Sequence, residues 1–172
     1  MPPLRTGSRR TPKLSVVMPM RNSAGVLRAA LASVLNQQYD DDFEVIAVDN
    51  GSTDHTRDVA RDFAERVTLI EKAGTVAAAR NEGIAAARGE YLVYCDSDDV
   101  QHPFRFRVQA AALDRFRDAG LVCSDFSTWK DDVVLSESHL RTRWLGPSTN
   151  SLDDDLARSF RTVTTCRALG LQ

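Results

Sequence analysis

The sequence predicts an α/β fold, a mostly parallel sheet flanked by helices, on three observations. Short apolar, β-branched runs alternate four times with longer segments of 3.6-residue period, and the connections between them are short. Such alternation builds right-handed βαβ units. The third observation is where the polar clusters fall: residues 19–22, 49–54 and 96–99 each follow an apolar run directly. Ligands of open parallel sheets bind beyond the carboxyl ends of the strands, which is where those clusters would lie.

Each element has its own signal. Residues 14–18, Leu-Ser-Val-Val-Met, read as a buried strand ended by Pro19. Asn22 or Ser23 is placed to cap the next helix, where Val26, Leu27, Ala30, Leu31, Val34 and Leu35 share one face. Residues 43–48 form a second strand, and its exit, Asp-Asn-Gly-Ser-Thr-Asp, is dense in turn formers. A polar helix over about 56–66 presents Val59, Phe63 and Ala64 inward, and residues 67–70 return as a third strand. An alanine-rich helix over 75–88 is expected to end at Gly89 as a left-handed cap. Residues 91–95 are a fourth strand, Pro103 suits the first turn of a helix reaching about residue 119, and 121–123 read as a fifth strand. Beyond residue 128 the pattern fades. A short strand fits 133–135, a loop fits 146–150, and 153–167 read as a poorly patterned helix.

Composition narrows the function. The chain has 172 residues, 42% hydrophobic and 27% charged, enough for one domain with a real core. No stretch approaches the roughly 20 apolar residues of a membrane span. A net charge of −2 argues against nucleic-acid binding driven by bulk charge. The first 13 residues carry Arg5, Arg9, Arg10 and Lys13 and no acid, and read as a flexible basic tail. Cys95, Cys123 and Cys166 are widely spaced and form no CxxC pair; Cys95 and Cys123 sit in apolar runs, so buried free thiols in a reducing, cytoplasmic setting are expected there. The basic tail leaves peripheral contact with the inner membrane surface open.

The strongest chemical feature is Asp96-Ser97-Asp98-Asp99. Three carboxylates in four residues repel one another and need a counter-charge, which Mg²⁺ or Mn²⁺ bridging to phosphate would supply. The competing reading is an acidic turn capping the next helix. Asp49 and Asn50 together suit the edge of a base or the hydroxyls of a ribose, although an Asx-turn with Asp54 or Thr53 as a cap explains the same residues. Arg80, in a helix of small residues, suits a diphosphate or simply solvent.

Five blocks in order carry a resemblance to a known family: Ser15-Val-Val-Met-Pro-Met-Arg-Asn22, Ser33-Val-Leu-Asn-Gln-Gln38, Glu44 to Asp54, Ala79-Arg-Asn-Glu-Gly83 and Gly89 to Asp99. Over roughly residues 13–128 the chain resembles the start of a family 2 glycosyltransferase. The resemblance implies a Rossmann-like GT-A fold with an incomplete C-terminal acceptor portion. It also implies a nucleotide-diphosphate sugar donor, a divalent metal (Mg²⁺ or Mn²⁺) and inverting transfer to an acceptor hydroxyl on a saccharide, lipid carrier or protein. Carried over by position, Pro19, Met20, Arg21 and Asn22 line the nucleotide pocket, and Asp49 and Asn50 contact base and ribose. Arg80 lies near the base or diphosphate, Asp96 at ribose or metal, Ser97 in the nucleotide-sugar site, and Asp98 on the metal. Two departures stand out: Met20-Arg21 replaces a small residue followed by Tyr, and Asn50 stands where many members have a second Asp.

Inverting transfer also needs a general base. Asp154, within Asp153-Asp-Asp-Leu-Ala-Arg158, resembles the family's element but lies closer to Asp98 than usual, and an acidic helix start explains it better. The expected organisation is a tail over 1–13, a donor-binding domain over 14–128, and the remnant or start of an acceptor region over 129–172. A nucleotide-sugar-binding remnant without transfer is the alternative. A third reading is a haloacid-dehalogenase-like phosphatase, with Asp96 as nucleophile, Asp98 as acid/base and Ser124 in its second motif, although that signature normally opens its domain. No GxGxxG follows any strand, which speaks against a dinucleotide-binding dehydrogenase.

Overall fold

The computed structural model describes residues 11–130, 133–136 and 165–167. Its main sheet holds, in spatial order, β3 (Val67–Glu71), β2 (Phe43–Asp49), β1 (Leu14–Met20), β4 (Tyr91–Tyr94), β8 (Thr165–Arg167) and β5 (Leu121–Val122), and β6 (Thr128–Lys130) pairs separately with β7 (Val133–Ser136). β1, β2, β3 and β4 are mutually parallel, in register Leu14↔Phe43, Leu14↔Tyr91 and Val45↔Val67. The chain therefore steps outward from β1 to β3 and then returns to the other side of β1. That reversal opens a crevice between the carboxyl ends of β1 and β4.

The helices α1 (Leu27–Leu35), α2 (Thr56–Arg61), α3 (Val76–Ala86) and α4 (Arg105–Arg115) connect the strands. Alternate residues of β1, namely Leu14, Val16, Met18 and Met20, join Leu27, Leu31, Val34, Phe106 and Leu113 in the main core. The opposite face is covered by α3, whose buried residues are only Ala79 and Gly83. A Cβ on Gly83 would stand 2.4 Å from Val17 Cγ1, so the missing side chain is what lets the helix sit this low on the sheet.

Several elements differ from expectation, each for a local reason. β1 runs through Pro19 rather than ending there. Met20 O accepts from Asn50 N of the β2 exit and Val17 O accepts from Cys95 N, so strand alternation turns residue 19 to the β4 side, where pairing has already stopped at Val17. Pro19 thus gives up no ladder bond. Neither Asn22 nor Ser23 caps α1; both are tied to the 52–56 turn, and Val26 at the N-cap is exposed. α2 is one and a half turns long, with Phe63 half-buried beyond it and Ala64 exposed. α4 starts two residues after Pro103 and stops at Arg115.

Gly89 is not a left-handed cap. A Cβ there would lie 2.5 Å from Ser15 N and 2.6 Å from Leu14 C, both β1 backbone. Gly89→Ala is therefore expected to cost about 1–3 kcal/mol by forcing the 87–90 turn off β1. Urea denaturation reads this directly, and an unchanged midpoint would contradict it.

The far edge brings the larger correction. β8 (Thr165–Arg167), at the end of the expected 153–167 helix, is a strand inserted antiparallel between β4 and β5 (Leu121–Val122). β6 (Thr128–Lys130), which carried no clear signal, pairs antiparallel with β7 (Val133–Ser136), the strand expected at 133–135. Because β5 is the sheet edge, Cys123 is exposed rather than buried, while Cys95 is buried as expected.

The opposite end of the strands is held by polar clamps. Lys13, assigned by sequence to the tail, is fixed: its amide donates to Asp42 O and its Nζ pairs with Glu90 and Asp114 at 2.8 Å. Glu44 accepts from Ser15 Oγ at 2.6 Å and from the Arg88 backbone and guanidinium. Burial alone would raise the Glu44 carboxyl, but the bonds from Arg88 and Ser15 outweigh it and hold it below the ordinary value. A carboxyl depressed on folding stabilises above its unfolded pKa and loses that contribution as pH falls through the folded one. Glu44→Gln should therefore lower the melting temperature near pH 7, with the gap closing as the pH is taken down to about 3. A gap that persists unchanged in acid would contradict the assignment.

Candidate nucleotide and metal site

The carboxyl ends of β1, β2 and β4 place three loops side by side, and backbone geometry locks two of them. Asn22 has φ 50°, a left-handed conformation that asparagine tolerates better than most residues. Its amide donates to Ser52 Oγ at 3.0 Å, and its Oδ1 accepts from Thr53 N at 2.8 Å. Ser23 N donates to Thr56 Oγ1 and Ala24 N to Asp54. The turn after β2 is thereby stitched to the turn after β1. Ser52, Thr53, Asp54 and Thr56 form this stitch.

Asp49 is buried, and its carboxylate accepts from Ser52 N at 3.2 and 3.3 Å, with Arg57 Nε 3.9 Å away. The bond reaches three residues on, whereas the Asx-turn offered by the sequence spans two; that shorter bond is made by Asp54, which accepts from Thr56 N, and the N-cap of α2 is His55 rather than Asp54 or Thr53. Asp49 thus shapes the loop while presenting an acceptor at the crevice wall. Gly51, at φ 77°, makes the reversal. Asn50 is 6% exposed, and its Oδ1 is buried with no hydrogen-bond partner. An orphaned buried acceptor costs on the order of 1–3 kcal/mol, which a ligand N–H or O–H would recover.

At the end of β4, Asp96 is half-buried and accepts from Arg80 Nη2 at 2.9 Å. Arg80 reaches it from α3, so this pair spans two elements. Ser97 is buried at 9% exposure, Asp98 is exposed, and Asp99 is half-buried. Burial, then repulsion from Asp98 and Asp96, pushes the Asp99 carboxyl up, against the pull of Arg105. The loop is thus short of positive charge.

The expected site residues do not all behave alike. Pro19 is buried at the end of β1, and Arg21 and Asn22 are exposed on its exit turn. Met20 is 2% exposed and belongs to the main core, so its side chain supports the loop from below rather than lining a pocket. Among the described residues, no three or more His, Cys, Asp or Glu converge into a self-sufficient metal cage. Asp154 lies outside the described residues. Sequence reasoning missed the stitching residues 52–56 as partners of Asn22 and Ser23, since nothing local to either turn announces a bond across some 30 positions.

The family model described as Glycosyl transferase family 2 matches residues 15–170. The poly(ribitol-phosphate) beta-glucosyltransferase of Bacillus spizizenii is 38% identical over 94 residues, which are 51% of this chain and 15% of that enzyme. Among solved structures, S. aureus TarS 1–349 in complex with UDP superposes with a TM-score of 0.61 at 25% identity, covering 66% of this chain and 35% of that one. The mannosyltransferase PcManGT of Pyrobaculum calidifontis, in complex with GDP-Man and Mn²⁺, gives a TM-score of 0.54 at 29% identity, covering 69% and 36%. The chain spans well under half the length of each of these relatives.

Proposed function

The chain belongs to glycosyl transferase family 2, and on that premise we propose that it is the donor-binding portion of a metal-dependent, inverting glycosyltransferase acting on an acceptor hydroxyl. Its parallel four-stranded sheet flanked by helices is that of the GT-A glycosyltransferases. Membership also disposes of the phosphatase reading, whose nucleophile strand opens its domain, whereas β4 is fourth in the chain. Residues 14–128 form the donor site in this reading, and 129–172 begin the acceptor region.

The observation that carries the proposal is the meeting of two unlike acceptor sets at one crevice. Asp49 and the orphaned Asn50 Oδ1 suit the N–H and O–H groups of a nucleoside. Asp96 and Asp98 suit a hard cation that keeps waters and takes phosphate oxygens as further ligands. The residues fit such a cation: Asp98 is exposed and has no cationic partner among the described residues, and Asp99 already feels the excess negative charge. A bound Mg²⁺ or Mn²⁺ would neutralise charge building on the departing diphosphate. Arg80 holds the Asp96 carboxylate in place, and its remaining guanidinium donors suit anionic oxygens. The UDP and GDP-Man complexes of the related enzymes support a nucleotide donor, and the Mn²⁺ of one supports the metal. Among the described residues no helix is long and apolar enough to cross a membrane. The wide cysteine spacing supports a cytoplasmic setting.

The test is a thermal-shift panel of UDP, GDP, ADP and CDP, each with and without Mn²⁺. Ligand at about 100 times its Kd adds about 2.7 kcal/mol, a rise of roughly 5–10 °C for a chain this size. The full rise is expected for at least one nucleotide in the presence of metal, with a clearly smaller one without it. No metal-dependent shift with any of the four would overturn the reading.

A further inference from the structure

The first residue of α4 is a fully buried arginine, which local preference opposes twice. Arg105 is 1% exposed, and it stands at the positive end of a helix whose first turn has no acid. What offsets these costs is a set of bonds reaching around the acidic loop. Nη2 donates to Tyr94 O at 3.0 Å and Nη1 to Cys95 Sγ at 3.1 Å, both at the start of the loop. Nη1 also donates to Gln101 Oε1 at 2.6 Å, at its far end, and Nε donates to Gln109 Oε1 at 3.1 Å. Gln101 continues the bracing: its amide donates to Ser33 Oγ on α1, and its Nε2 donates to Asp99 O. The four residues Asp96 to Asp99 thus lie between two anchors of one guanidinium.

We propose that Arg105 is a positioning residue for the cation site, bracing both ends of the acidic loop so that Asp96 and Asp98 are held ready for a metal–diphosphate. Arg105 touches no ligand; it acts through the loop. The inference rests on the donor-site reading above, and its experiment separates the two.

Calorimetry on the full chain measures the affinity for UDP and for GDP, each with and without Mn²⁺. Wild type is expected to bind one of them at least tenfold more tightly with Mn²⁺. Arg105→Lys keeps the charge but not the fork, and should lose most of that enhancement, a fall of about 10–100-fold in metal-dependent affinity. Its metal-free nucleotide affinity, set by Asp49 and Asn50, should change by less than about twofold. Gln101→Met, which removes one anchor and leaves the arginine, should lose part of the enhancement in the same way. Equal loss with and without metal, or an undiminished enhancement in both variants, would overturn the positioning role. If circular dichroism shows Arg105→Lys unfolded, Gln101→Met decides alone, and failure of both to fold would assign the network to stability and overturn the proposal. A wild type without any metal enhancement would instead overturn the donor-site reading itself.

Discussion

Asp98→Ala is expected to abolish the metal-dependent part of nucleotide binding while leaving the fold intact. Asp98 is exposed, and among the described residues it makes no ion pair or side-chain hydrogen bond. Removing such a carboxylate should shift stability by no more than about 0.5 kcal/mol. The same substitution takes away one of two proposed metal ligands, and with it the charge that makes the loop attractive to a cation. A hundredfold loss of Mn²⁺-dependent affinity corresponds to about 2.7 kcal/mol, well within what one ligand supplies. Isothermal titration of the nucleotide in Mn²⁺ measures it. An unchanged affinity would mean that the acidic loop is only a surface turn.

The second large effect is expected at Asp49. Asp49→Asn keeps the volume and an oxygen for Ser52 N, so the turn after β2 should persist, but the charged acceptor is lost. Hydrogen bonds to charged groups contribute about 1.5–3 kcal/mol, so nucleotide affinity should fall by about 10- to 150-fold. Because Asp49 serves the nucleoside end, the loss should be equal with and without Mn²⁺, unlike that at Asp98. A loss confined to the Mn²⁺ condition would contradict the division of labour between β2 and β4.

Most of the fold was legible because its signals are local. β1 to β4 and the three helices between them show in apolar runs and 3.6 periodicity, and the cluster positions at strand ends follow from chain direction alone. The misreadings have a shared cause: the deciding partner was distant in sequence. Gly89 looked like a helix cap, but β1 backbone 74 residues away sets its identity. Pro19 looked like a stop, but β4 had already left its side of the strand. β8 could not be foreseen from a three-residue stretch whose pairing partners are residues 91–93 and 121–122. At the site, the residue types of Asp49, Asn50, Arg80, Asp96 and Asp98 could be read directly. The Arg80–Asp96 pair, the orphaned Asn50 oxygen and the bracing by Arg105 could not. A basic residue opening a helix against the dipole was the one visible hint of the last.

The most direct test of a two-ended donor site is Mn-edge anomalous diffraction from crystals of the chain grown with UDP, or GDP, and Mn²⁺. The predicted result is a peak at about 2.1–2.3 Å from an Asp98 carboxylate oxygen, shared with the diphosphate, and the base against Asp49 and Asn50. A cation away from the β4 exit, or a nucleotide bound without one, would contradict it.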